Sequence, residues 1–184
     1  MSALLPISGK RVVLRRLHHD DLPAFQAYRG DPEVGRYQGW LPMPDEKAGE
    51  FIATMATADF FISDQWIQLG IADKETDRLI GDVGLCLKEL GTIGEIGFSL
   101  EKKSQGQGLA FEAVSLSLQL LFEQNTVQKV QGITDSRNAP SIHLLKCLGM
   151  TLIESIETEF RGSPCIEYLY SISRPEFENS DPPS

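Results

Sequence analysis

The chain has 184 residues, 41% of them hydrophobic and 23% charged, and a net charge of −9. Those values fit one globular domain with a single sizeable core, and they exclude a disordered or collagen-like chain. The acidic balance argues against nucleic acid as a partner and favours cationic ligands, amines among them. Cys86, Cys147 and Cys165 are odd in number and lack metal or redox spacing, and His18, His19 and His143 form no ligand cluster. No leader or bilayer-spanning run is visible. The expectation is a cytoplasmic protein without a metal and without a membrane partner, in which Cys147 is a small core residue and His143 faces solvent.

In chain order, the sequence reads as a strand over 11–17, then a helix from about 20 to 29 with Asp20 as its N-cap. Residues 30–44 carry Gly30, Pro32, Gly35, Gly39, Pro42 and Pro44 and read as a loop with one short helix. Asp45 caps a helix to about 57. Strands follow at 66–73, 78–88 and 92–101, turned at Lys74–Asp77 and Gly91-Thr92. Residues 108–124 form a helix whose stripe of Ala110, Val114, Leu118, Leu121 and Phe122 marks a core face. A strand at 129–134, a helix at 139–147 and a hairpin of 151–160 with 165–173 complete a mixed α/β sheet covered by helices. The domain spans 9–173, with 1–8 and 174–184 expected to be flexible.

The most informative stretch is 95–110, where an alternating strand runs through a glycine-rich turn into the helix at 108. Such a junction aims unpaired backbone N–H groups at one point, at the positive end of the helix dipole, and a phosphate is its natural occupant. A nucleotide P-loop fails, because Gly108 is followed by Leu109 and Ala110, not by Lys and Ser/Thr. A dinucleotide fingerprint is weak, because Phe111 stands where the third glycine belongs. The pattern Gln-x-x-Gly-x-Ala fits Gln105, Gly108 and Ala110.

That pattern resembles the acetyl-CoA loop of the GNAT N-acetyltransferases. Asn138, Ser141 and the Leu148-Gly149-Met150 end of the next helix resemble the family's second motif, and 11–22 resembles the opening of its ribosomal-protein N-terminal acetyltransferase branch. The resemblance covers about 9–173. It implies a central, mostly antiparallel sheet of about seven strands flanked by about four helices, with two strands splayed around the cofactor. Pantetheine would pair with Phe98, Ser99 and Leu100, and the pyrophosphate would sit on Gln105, Gly106, Gln107, Gly108, Leu109 and Ala110. Asn138 would touch the pantetheine, or serve as an Asx cap. Lys102, Lys103 and Lys146 would balance the phosphates.

Acetyl transfer needs a base for the ammonium, stabilisation of the oxyanion and a proton for the departing thiolate. The family's usual Tyr acid is replaced by Leu145, and the branch implies Ser141 instead; its alternative is a helix cap. Glu95, opposite its strand's apolar face, and Glu159, in Thr158-Glu159-Phe160-Arg161-Gly162, which resembles the branch's Glu-Phe-x-x-Gly hairpin, are both candidate bases. Tyr37, Trp40 and Phe160 would wall the acceptor pocket, while Phe98 and Leu85 would line the acyl end. The implied reaction is direct acetyl transfer to a protein α-amine or a small amine in a ternary complex, with a homodimer possible. The rival readings are an acyl-CoA-binding or protein-interaction module without turnover, and a nucleotide-dependent oxidoreductase using Asp135.

Overall fold

The computed structural model describes residues 5–179. Eight strands form one sheet: β1 (Ile7–Ser8), β2 (Val12–Arg15), β3 (Ile67–Asp73), β4 (Leu79–Lys88), β5 (Ile93–Leu100), β6 (Lys129–Asp135), β7 (Thr151–Phe160) and β8 (Ser163–Ser173). Their spatial order is β1-β2-β3-β4-β5-β6-β8-β7. Only β5 and β6 run parallel among these pairs, because α4 (Leu109–Phe122) crosses over between them. The remaining helices are α1 (Leu22–Arg29), α2 (Pro32–Gly35), α3 (Asp45–Thr57), α5 (Ala139–Cys147) and α6 (Arg174–Glu178).

Alternation sorts the helices onto two faces. The even positions of β5 meet α4, and Gly94 approaches Leu121 so closely that a Cβ would lie 3.2 Å from it. On β6, Gly132 lies under Leu145 of α5. The opposite face of β2–β4 carries α1 and α3, whose Phe25, Tyr28, Ala48 and Ile52 form a separate buried cluster with Leu17 and Leu79. With both faces covered, β4 is buried along nearly its whole length. Of the expected α4 stripe, Val114, Leu118, Leu121 and Phe122 are buried in the core, whereas Ala110, at the first turn, is half-buried and borders a cleft. Truncating Leu118 to Ala would remove about 2–5 kcal/mol.

Several local expectations change. Asp20 is exposed, and the N-terminal carboxylate of this region is Asp21, which accepts from His18 N at 2.7 Å and from Nη1 and Nη2 of Arg15 at 2.8 and 2.9 Å. Two stretches expected to be loose carry structure. Ile7–Ser8 pairs with β2. Arg174 donates to the carbonyls of Phe122, Gln124 and Val127, placing a cation at the C-terminal end of α4. Phe177 stacks on Phe122 at 4.6 Å. The other residues of those expected tails, 1–4 and 180–184, lie outside the described residues.

Candidate active site

The parallel pairing of β5 with β6 runs from Ile93–Lys129 to Ile96–Gly132. Beyond it β5 continues to Leu100 beside β4, while β6 continues to Asp135 beside β8. The two strands therefore splay. Glu101 N donates to Ile80 O, so the odd-numbered backbone groups of β5 face β4 and the even-numbered ones, Phe98 and Leu100, face the gap. The Phe98 carbonyl accepts from Gln38 Nε2 at 3.1 Å and the Leu100 carbonyl from Gln105 Nε2 at 2.9 Å.

The gap opens onto the N-terminus of α4. Gly106 (φ 72°) and Gly108 (φ 77°) turn the chain through left-handed backbone, which costs a glycine little and other residues about 1–2 kcal/mol. Glu112, in the first turn of α4, accepts from the main-chain N–H of Arg11 at 2.6 Å and Val12 at 3.2 Å, and Arg11 Nη1 donates to Gln107 O at 2.8 Å. Burial pushes the Glu112 carboxyl up, but these N–H donors outweigh it and hold it below its ordinary range. A cleft of about 710 Å³ runs from this turn, past Gly106, Gly108 and Ala110, to the exposed side of α5. Of the expected loop residues, Gln107 and Leu109 stand outside its lining, and Lys102 is the lysine that reaches it.

On α5, Pro140, Ser141, Leu144 and Cys147 form the cleft-facing stripe. Lys146 falls off that stripe and is exposed, so it does not reach the cleft as expected. Cys147 is not a core residue: it is exposed, 3.5 Å from His143 Nε2, because Leu145 and Leu148 occupy the buried side. Asn138 caps the helix, accepting from Ser141 N at 3.3 Å. The Ser141 hydroxyl is thus not spent on capping, and among the described residues it has no hydrogen-bond partner. It lines a recess of about 60 Å³ at the splay, together with Tyr37, Gly97, Phe98, Asn138 and Leu145. Leu85 is fully buried in the core and stays away from this recess, contrary to its expected place at the acyl end.

The odd-numbered face of β5 holds the other bank. Trp40 Nε1 donates to Ser99 Oγ at 3.4 Å, and its ring lies 4.4 Å from the Arg29 guanidinium. Arg29 is itself buried against Asp82 at 2.7 Å, with Tyr28 and Gln68 completing the set of donors to that carboxylate. Trp40 consequently packs the wall and lines neither cavity, whereas Tyr37 lines both. Phe160 sits under the Arg161 guanidinium at 4.9 Å and also stays outside the cavities. Arg161 Nη2 reaches the carbonyls of Gly35, Gln38 and Trp40 at 3.0–3.2 Å, tying the β7–β8 turn to the 35–40 loop.

The two candidate bases face opposite ways. Glu95 is half-buried on the same face as Gly97, and burial raises its carboxyl above the ordinary range, partly countered by Lys88. Glu159 is exposed near the hairpin tip. Ile153 is an extra residue in the β7–β8 register, and this bulge puts Glu159 in phase with Ile96, on the α4–α5 side. Asp135 is bound by Arg137 through Nε at 2.8 Å and Nη2 at 2.6 Å, which holds its carboxyl low and leaves no free carboxylate for a ribose. Gln38 and Arg161 escape the sequence reading because each acts from an irregular loop or turn on residues far along the chain, and Arg137 because it acts from the turn after β6, where no periodicity applies.

A splayed strand pair with a helix N-terminus at its mouth defines an acyl-CoA-dependent acyltransferase architecture. The chain belongs to the acetyltransferase (GNAT) domain family, whose model matches residues 11–151. It is 28% identical over 173 residues to an uncharacterized N-acetyltransferase, p20, of Bacillus licheniformis, covering 91% of this chain and 96% of that one. Its fold matches a GNAT acetyltransferase structure from Bacillus anthracis with a TM-score of 0.81 at 19% identity, over 92% of this chain and 98% of the other. It also matches RimL, a ribosomal α-N-protein acetyltransferase in complex with coenzyme A, with a TM-score of 0.75 at 12% identity over 90% and 95%. The oxidoreductase reading falls with this assignment. Among the described residues no helix is long and apolar enough to cross a membrane.

Proposed function

We propose that this acetyltransferase binds acetyl-CoA along the free edge of β5 and passes its acetyl group directly to a primary amine, either a protein α-amine or a small molecule. The observation that carries the reading is the splay beyond Ile96–Gly132, which joins the N-terminal turn of α4 to the Ser141 recess in one continuous groove. Pantetheine takes the main-chain groups of Phe98 and Leu100, displacing the Gln38 and Gln105 amides, and the pyrophosphate takes the N–H groups from Gly106 to Ala110. The recess of about 60 Å³ is small, which suits an acetyl group at its inner end.

Glu95 serves as the base. It shares a face of β5 with Gly97, which lines the recess, while Glu95 itself lines neither cavity, so its raised carboxyl draws a proton from the ammonium through water. The Ser141 hydroxyl hydrogen-bonds the sulfur as charge develops there. Holding amine and thioester together supplies most of the acceleration. The test is thermal stabilisation by CoA and acetyl-CoA, run beside free-thiol release with N-terminal peptides and small amines. Stabilisation with amine-dependent release is the expected result. Absence of stabilisation at saturating CoA contradicts the cofactor assignment, and stabilisation without release in every pool favours a binding module.

A further inference from the structure

Leu145 leaves α5 without an acid for the departing thiolate, and a serine hydroxyl is too weak an acid to supply a proton at neutral pH. Among the described residues two other hydroxyls line the recess, those of Thr134 and Tyr37, and Thr134 is buried on β6 and does not reach the long cleft. Tyr37 comes from the loop on the far bank and, with Gln38, Phe98, Asn138 and Ser141, is one of the five described residues that line both the recess and the long cleft. Its ring is half-buried, and among the described residues its hydroxyl has no hydrogen-bond partner. Two guanidiniums flank it: Arg36 at 5.3 Å and Arg137 at 5.8 Å from the ring centroid. Asp135 fixes Arg137 in that position, and the loop bearing Tyr37 is itself fixed by Arg161. A phenol O–H is a far better proton donor than an aliphatic hydroxyl.

We propose that Tyr37 is the proton donor for the CoA sulfur, a role that rests on the acetyl-CoA assignment above. The amine nitrogen attacks the thioester carbon, the C–S bond breaks and its electron pair goes to sulfur. The Tyr37 O–H proton passes to that sulfur, giving free CoA thiol. The phenolate left behind belongs to a ring flanked by the Arg36 and Arg137 guanidiniums, and solvent at the cleft mouth returns its proton. The proton shed by the amine leaves separately, through Glu95. Ser141, across the recess, orients the sulfur without ionising.

The test needs no knowledge of the acceptor. CoA is bound to wild type, Tyr37→Phe, Ser141→Ala and Arg36→Met, and the bound thiol is titrated by its ultraviolet thiolate absorbance. A donor to sulfur favours the thiolate. Tyr37→Phe is expected to move the bound-thiol titration up by about one pH unit, a tenfold loss of thiolate at fixed pH, with CoA affinity changed less than about threefold. Arg36→Met moves it in the same direction by less. With hydroxylamine as a small nucleophile, Tyr37→Phe lowers kcat about 10²-fold and leaves the acetyl-CoA KM in place. An unchanged titration in Tyr37→Phe, or a shift confined to Ser141→Ala, overturns the proposal. Failure of wild type to bind CoA at all overturns the cofactor assignment, and with it this one.

Discussion

The two banks of the groove are built from different materials. On the α4–α5 bank the contacts offered to a cofactor are main-chain groups: the even-numbered edge of β5 and the first turn of α4 behind Gly106 and Gly108. On the α1–α3 bank they are side chains held by other side chains, with Trp40 on Arg29, Arg29 on Asp82, and Arg161 on the 35–40 loop. A backbone site tolerates sequence change wherever the turn is preserved. A side-chain site is rebuilt by a few substitutions. The cofactor end of such an enzyme is accordingly the fixed part, and the acceptor end is where specificity changes.

Substitutions that attack each bank separately test this contrast. The largest effect belongs to Asp82→Ala, which strands the buried Arg29 guanidinium; urea unfolding is expected to show a loss of about 3–5 kcal/mol. A smaller loss would mean that Trp40 and its neighbours hold the wall without the ion pair.

Next comes Glu95→Gln, which is expected to lower amine-dependent thiol release about 10²-fold while CoA binding is unchanged; Glu159→Gln should stay within about threefold. Because burial raises the Glu95 carboxyl, the folded chain holds this proton more tightly than the unfolded chain. Its ionisation therefore subtracts from stability as pH rises through that window, and Glu95→Gln should not destabilise at neutral pH. For the same reason the acid limb of the rate profile should lie above the ordinary carboxylate value of about 4.3 and vanish in the Gln variant. Equal losses in the two Glu variants would contradict the assignment of the base.

Gly108→Ala combines a φ of 77° with a Cβ only 3.2 Å from Arg11 Nη2. It should cost about 1–2 kcal/mol of stability and weaken CoA at least tenfold by calorimetry. Gly106→Ala, with open space around its Cβ, meets the φ penalty alone and should lose less affinity. The smallest effect is expected from Arg161→Gln: under about 1 kcal/mol of stability, a few-fold rise in the amine KM and no change in CoA affinity. A weakened CoA affinity there would show that the banks are coupled.

The same contrast explains what the sequence disclosed. The order of strands and helices, the α4 core stripe and the turn at 105–110 are local patterns, and each was visible as periodicity or as glycine at required positions. Ser141 was visible too, but its release from capping was not, since that depends on Asn138 Oδ1 reaching Ser141 N. On the other bank the three-carbonyl contact of Arg161 and the stacking of Trp40 on Arg29 join residues far apart in the chain through irregular loops, while Asp135 and Arg137 pair across the turn that ends β6. The direction of Glu159 turned on the one-residue bulge at Ile153, which alternation read without the partner strand cannot reveal. Cys147 was misplaced because an apolar helix of nine residues gives too short a stripe to fix its buried side.

The most direct test of the central claim is amide hydrogen exchange on the full chain with and without CoA. The account predicts new protection at Gly106–Phe111 and at Phe98–Leu100, with little change in β7 and the 35–40 loop apart from Gln38. Protection absent from the 106–111 turn, or confined to the acceptor bank, would contradict a cofactor site made of backbone.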